Sequence, residues 1–252
     1  MSQTYEVDES YQGVGKLWAR KYGTSDKLRF LGNVSKASAK QKLKTNKIAD
    51  YTRQGGGTRA IHERLDSVTL AMTWMELSTE NLALCIGSDV VSVAGATVAA
   101  EPVTFHKGGL VKLEQPPQSI TSVASTGGSP ITYQVGRDYE LCAGGLYIPS
   151  TSTVVDASAG TVTYESADFE ELEAATVMST DLELFIEGLN DMDGNPMLID
   201  VWKLHVPVID ELMLLGGDAP ITLTYDAELL RDATKGAGKS GFFRARKVKL
   251  NA

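Results

Sequence analysis

Val68-Thr69-Leu70-Ala71-Met72-Thr73-Trp74 alternates a large apolar side chain with a small or hydroxylated one. A period of two over such a run marks a strand with one buried face. Upstream, Gly55-Gly56-Gly57 offers a turn, and a second extended stretch from residue 28 leads into it. Residues 28–87 therefore read as two long strands folded back on each other, followed by a short helix. Apolar character stays at the base of this ribbon. Toward its tip Lys40, Lys42, Lys44, Lys47, Arg53, Arg59 and Arg64 crowd around the glycines. A long two-stranded hairpin is marginally stable alone in water. The tip is expected to need a partner surface or a nucleic acid, or to stay disordered until it finds one.

The ribbon is followed by Glu76-Leu77-Ser78-Thr79-Glu80-Asn81-Leu82-Ala83-Leu84-Cys85-Ile86-Gly87. Ser78 or Thr79 can accept the first free N–H groups, Glu80 suits the positive end of the dipole, and Gly87 suits a left-handed stop. Leu82, Cys85 and Ile86 fall on one face, which is expected to pack on a sheet with Cys85 as a small core hydrophobe.

Residues 1–27 scatter aromatics and glycines among polar residues and read as an arm, with a strand possible at 15–22. Residues 88–175 read as short strands, best at 110–113, 131–135, 139–142, 146–148 and 161–164, and end in a short acidic helix at 167–175. Alternation returns at Leu182, Leu184 and Ile186. Asp193-Gly194 gives a hairpin turn, with a return strand at 198–208, another at 221–230 and a basic one at 242–250. The expected organisation is an arm at 1–27, a β domain at 28–234 holding a β-rich elaboration at 102–164, and a basic tail at 235–252.

At 252 residues a compact fold buries roughly 75% of its unfolded surface, so no staple is required. Cys85 and Cys142 lack metal spacing and a secretory context. Free thiols are expected, with a disulfide as the alternative. The first residues lack a basic start and an apolar core, and no apolar run approaches the roughly 20 residues of a membrane helix. The chain is expected to be made in a cytosol and to touch no membrane.

The net charge of -8 conceals a division. Residues 1–64 carry 13 Lys and Arg against 6 Asp and Glu, residues 65–234 carry 5 against 26, and residues 235–252 carry 6 against none. Basic ends on an acidic body fit nucleic-acid binding. They fit self-complementarity between copies equally well, and the plain alternative is solvated faces.

The motifs that suggest chemistry lack its context. Gly236-Ala237-Gly238-Lys239-Ser240-Gly241 spells a phosphate loop, but Ala233 stands where the first glycine belongs and no βαβ unit surrounds it. It reads as a link to the terminal strand. Asp191-Met192-Asp193-Gly194-Asn195-Pro196 places its glycine too early for a calcium loop, and Trp202 stands where the bidentate glutamate belongs. His62, His106 and His205 share no ligand spacing with a cysteine. No G-x-S-x-G elbow occurs, and Asp168, Glu170, Glu171 and Glu173 read as a solvated face. No metal, cofactor or catalytic constellation is expected.

Taken in order, several stretches resemble the major tail tube proteins of long-tailed phages with non-contractile tails. Leu31-Gly32-Asn33 opens the ribbon, and Leu77-Ser78-Thr79-Glu80-Asn81-Leu82-Ala83 with Gly87 looks like that family's helix after the hairpin. Glu187-Gly188-Leu189-Asn190 with Asp193-Gly194 resembles its second-half turn, and residues 225–232 (YDAELLRD) its closing strand. Tyr133, Gly136, Asp138 and Tyr139, with 162–164, look like a β segment common in phage tail proteins. The resemblance implies a mainly β fold: a β-sandwich flanked by a short α-helix with a long protruding β-hairpin, closing into a ring-forming β-barrel on oligomerisation. It implies six-membered rings stacked into a tube, with DNA passing through the lumen. Its implied partners are the chain itself and other tail proteins such as tape measure and terminator. A neck or terminator ring protein and a nucleic-acid-binding β module remain alternatives. Against the second stand the acidic body and the lack of aromatics among the ribbon's lysines.

Overall fold

A computed structural model describes residues 12–192, 194–216 and 220–248. Contacts divide the chain into two compact units, Met1–Asp89 with Leu172–Ala252, and Val90–Glu171. The first begins with β1 (Gly13–Lys21), β2 (Arg29–Phe30), β3 (Val34–Ala49), β4 (Thr58–Trp74) and α1 (Thr79–Ile86). The second holds β5 (Val90–Val93), β6 (Thr97–Phe105), β7 (Gly109–Lys112), β8 (Pro117–Ser125), β9 (Glu140–Cys142), β10 (Gly145–Ile148), β11 (Ser158–Ser166) and β12 (Phe169–Leu172). The chain then completes the first unit with β13 (Ser179–Asn190), β14 (Pro196–Pro207), β15 (Leu223–Leu229) and β16 (Phe243–Lys247). The fold is mainly β, with antiparallel sheets and one short helix, and no sheet among the described residues closes into a barrel.

One eight-stranded sheet organises the first unit, in the order β2-β1-β13-β14-β15-β4-β3, with β16 joined to β14. The edge of β14 is shared: Met197 to Val201 pair with β16, whereas Leu204 and His205 pair with β15. Val68, Leu70, Met72 and Trp74 are buried, as their alternation requires, with Tyr225, Leu204, Leu184 and Leu17 in the same core. The rings of Trp74 and Tyr225 lie 4.6 Å apart, within the range where aromatic pairs add to area burial.

Three expectations in this unit are corrected. The ribbon starts at Val34, not at 28. Arg29 and Phe30 pair instead with Ala19 and Trp18 of β1, and buried Leu31 donates its N–H to the Leu17 carbonyl at 2.9 Å. The stretch from Gly13 is the strand expected at 15–22 rather than part of an arm, and it belongs to the main sheet. It pairs along β13 from Gly13↔Asn190 to Lys21↔Leu182, because Leu17 and Ala19 alternate into the core. On α1, Leu82 is only half-buried and outside the core. Asn81, Ala83 and Cys85 are buried there, with Leu84 and Ile86 packed on the cluster. Asn81 turns inward because its amide donates to the carbonyls of Leu31 (2.9 Å) and Glu76 (3.1 Å).

The second unit has its own core, centred on Phe105, Leu146, Ile148, Val162 and Tyr164. Its small sheets are β7-β10-β9, β6-β11-β8 and β12-β5. The expected strand at 131–135 is reduced to isolated bridges at Thr132 and Val135. There the Gln134 N–H is taken by the Asp138 carboxylate and Gly136 turns left-handed. The expected acidic helix at 167–175 is also corrected, since Phe169–Leu172 is strand β12. The segment is tied sideways: Ala167 N–H donates to the Pro116 carbonyl, and the Asp168 carboxylate accepts from Gly95 N–H. The bounds Val90–Glu171 enclose the whole 102–164 stretch.

Candidate interaction surface

The paired strands β3 and β4 change character along their length. From Val68 to Trp74 alternate residues are buried, whereas every residue of β4 from Thr58 to Asp66 is exposed. Ten residues separate Thr58 from Val68, so the hairpin extends about 34 Å beyond its last buried side chain.

A bulge sets the chemistry of that extension. Lys42 pairs with Ser67 and the next residue, Leu43, pairs with Leu65, which leaves Asp66 as an extra residue in β4. One extra residue reverses the face of everything beyond it. Leu43 and Leu65 thereby continue the core-facing side past the core, with the pair Lys47 and Ile61 two steps on. The opposite side carries Lys40, Lys42, Lys44 and Arg64 in a row. Asp66 meets Lys42 at 3.1 Å.

At the tip the backbone is held by a local network. Asp50 N–H donates to the Gly57 carbonyl at 2.8 Å, and Thr52 donates to the Asp50 carboxylate through both its N–H (2.9 Å) and its hydroxyl (2.6 Å). Those Thr52 hydrogen bonds hold the Asp50 carboxyl below its usual range. Gly55, Gly56 and Gly57 all take positive φ (105°, 68° and 134°), a backbone that side chains oppose. The turn presents Tyr51, 92% exposed, beside Arg53. Arg59 lies at a second register shift, where Ile48 pairs with Ala60 and Ala49 with Thr58.

The expected basic residues are thus distributed rather than clustered. Lys40, Lys42, Lys44 and Arg64 share a face, Lys47 lies on the other, and Arg53 belongs to the tip. The expected helix residues lie at the base. The Ser78 hydroxyl accepts from Asn81 N–H at 3.3 Å, and Gly87 closes α1 with φ 66°. A side chain at Gly87 would also strike the Val177 carbonyl. Cys85 is a free, buried thiol whose pKa burial pushes up to about 11, against a smaller opposing effect from Tyr225. Burial also raises the Tyr225 phenol, with Cys85 adding to the shift. That hydroxyl makes no hydrogen bond of good geometry.

A second feature, one the sequence reading missed, is a cleft of about 430 Å³ at the end of β14 and along β15. Asp210, Glu211, Met213, Thr224 and Asp226 are among its walls. Outward residues of β15 continue it across the sheet. Thr224, Asp226 and Glu228 pair with Thr73, Ala71 and Thr69, which pair in turn with Lys36, Ser38 and Lys40. No short motif marks this cleft, because its walls come together only when the stretch after β14 lies against the start of β15.

The glycine-rich stretch at 236–241 forms turns between β15 and β16. Trp202 anchors it, its indole N–H donating to the Ser240 carbonyl at 3.0 Å, with the Lys235 ammonium 4.1 Å from its ring centre. Arg244 and Arg246 both reach Asp200. Of the 191–196 turn, Asp193 lies outside the described residues, and Gly194 takes φ 71°. His62 sits on the exposed hairpin, His106 is 4.0 Å from Asp156, and His205 Nδ1 is 2.9 Å from Asp181. Among the described residues no group of three or more His, Cys, Asp or Glu could hold a metal, and no helix is long and apolar enough to cross a membrane.

The family described as "Protein of unknown function UCP028589" matches residues 10–246. The chain belongs to that family. The UCP028589 match takes in both compact units, the exposed hairpin and its tip, and the cleft along β15. No curated protein matches the chain.

Proposed function

We propose that the protein is a self-assembling structural subunit of a phage tail tube. Copies join into rings, six-membered on the family resemblance, and the rings stack around a lumen through which DNA passes. The observation that carries this reading is the distal half of the β3–β4 hairpin, fully paired yet exposed on both faces. An isolated ribbon of this length is marginal in water, and a neighbouring copy supplies the surface it lacks.

The sheet edges support the same reading. β3 forms one end of the eight-stranded sheet over 16 residues, and at the other end β2 covers only Trp18 and Ala19 of β1. Open edges invite pairing with another chain. Joining one end to the opposite end of the next copy is a head-to-tail contact, which closes into a ring or runs on as a helix. In the assembled ring the first unit acts as a β-sandwich flanked by α1, its hairpins forming a shared barrel. The acidic body keeps DNA phosphates from adhering to the lumen, and tape measure and terminator proteins meet the tube at its ends. The role is structural rather than catalytic, in a virion tail assembled in the host cytoplasm.

Electron microscopy and sedimentation of the purified protein test this. Rings or tubes are expected, with contacts above the roughly 2,000 Å² at which obligate interfaces begin. A strictly monomeric species at high concentration overturns it. Charge reversal at Lys44 and Lys47 together, or Gly56→Pro, is expected to leave the folded monomer intact and block polymerisation.

A further inference from the structure

We infer that the cleft along β15 is the seat for the hairpin tip of a second copy of this chain. The inference rests on the self-assembly proposed above and assigns the receiving surface.

Reach excludes the chain's own tip. Asp226, in the cleft wall, pairs with Ala71, and Thr58 lies thirteen residues further along the same strand. At the rise of an extended strand that is about 44 Å. The β3–β4 strands stay paired over this whole distance, across both register shifts, so the ribbon does not fold back on its own base. The occupant must come from another molecule.

Chemistry matches the two surfaces. Between Lys36 and Asp66 the hairpin carries eight Lys and Arg against three Asp and Glu, and two of those acids are engaged locally, Asp50 by Thr52 and Asp66 by Lys42. The tip offers Tyr51 and Arg53, residue types enriched at the energetic centres of interfaces. The cleft offers Asp210, Glu211 and Asp226 on its walls and Met213 as an apolar contact. Met213 is 53% exposed in the free chain, and an aromatic ring seated there removes apolar area from both partners. Its volume of about 430 Å³ admits one aromatic side chain with room for an arginine beside it.

Variants of the full chain, Tyr51→Cys and Thr224→Cys, each made with Cys142→Ser so that buried Cys85 is the one native thiol left, are mixed under mild oxidation, assayed on non-reducing gels and imaged by electron microscopy. A disulfide-linked dimer is expected from the mixture, and a ladder from the double variant. A control pairing Tyr51→Cys with Val155→Cys, also exposed, should cross-link at least about tenfold less. A second measurement does not depend on cysteine chemistry. Arg53→Glu should lower the polymer fraction about tenfold, and Asp226→Arg in the same chain should restore it by exchanging the charges across the contact. Assemblies that form normally without the Tyr51–Thr224 cross-link, or that charge exchange leaves unrescued, overturn this seat while leaving self-assembly intact. A tip held instead by duplex DNA, with Arg53→Glu abolishing retention on a filter, overturns it as well. Absence of any assembly overturns both readings together.

Discussion

The two halves of the β3–β4 hairpin share one ladder and obey opposite rules. At the base, Val68, Leu70, Met72 and Trp74 are almost wholly buried and set the sheet's position. Beyond Asp66 the pairing continues, yet none of the described residues covers either face. Backbone hydrogen bonding is therefore common to both halves, and burial separates them. The base is stabilised from within the molecule, whereas the tip has surfaces whose value appears only between molecules.

Substitution at the base should give the largest effect. Trp74→Ala removes a fully buried ring from contact with Tyr225 and should cost about 3–5 kcal/mol in chemical denaturation. A cost below 1 kcal/mol would show that the base is not the anchor. Next in size is a difference in thiol reactivity. With its pKa at about 11, Cys85 holds on the order of a thousandth of its population as thiolate at pH 8, before steric shielding is added. A thiol reagent should modify Leu65→Cys, on the exposed half, several hundredfold faster than Cys85. Because burial disfavours the charged form, the Cys85 rate should climb as pH approaches 11. Equal rates at pH 8 would erase the contrast.

A smaller effect is expected where the helix braces the base. Ser78→Ala deletes the acceptor for Asn81 N–H and should cost about 1 kcal/mol. The smallest belongs to the extension itself. Ile61→Ser should change monomer stability by less than about 0.5 kcal/mol, as a surface substitution does. A loss of 2 kcal/mol or more in the monomer would mean that the distal half is already packed within one chain.

The base of the hairpin was legible in the sequence because period-two alternation is a local signal that burial on one side obeys. The caps of α1 were legible for the same reason, since Ser78 and Gly87 act within a few residues. The distal faces were not. Simple alternation from Trp74 would place Asp66 and Arg64 on the core side, and only the bulge at Asp66, fixed by pairing with β3, puts Leu65 there instead. Segment 28–33 was misread because its partners, Trp18, Ala19 and Asn81, are remote or ambiguous in sequence. The stretch 167–175 looked helical from its acidic composition, while its pairing with β5 depends on a strand far upstream. The cleft along β15 was invisible for a related reason: its apolar and acidic walls are ordinary residues until the sheet assembles.

The sharing of the main sheet between distant parts of the chain dictates an order of events during synthesis. Every strand of the second unit finds its partners between Val90 and Leu172, so that unit can be complete while the ribosome is still extending the chain. The first unit cannot. Gly13 waits for Asn190, and Trp74 waits for Tyr225, so its core closes only near the end of translation. Contacts of such sequence separation form slowly, and until they form the apolar side of β4 stays uncovered. The inserted unit thus spends that interval as a folded body between two unfinished arms, and nascent chains stalled before β15 should resist protease only across it.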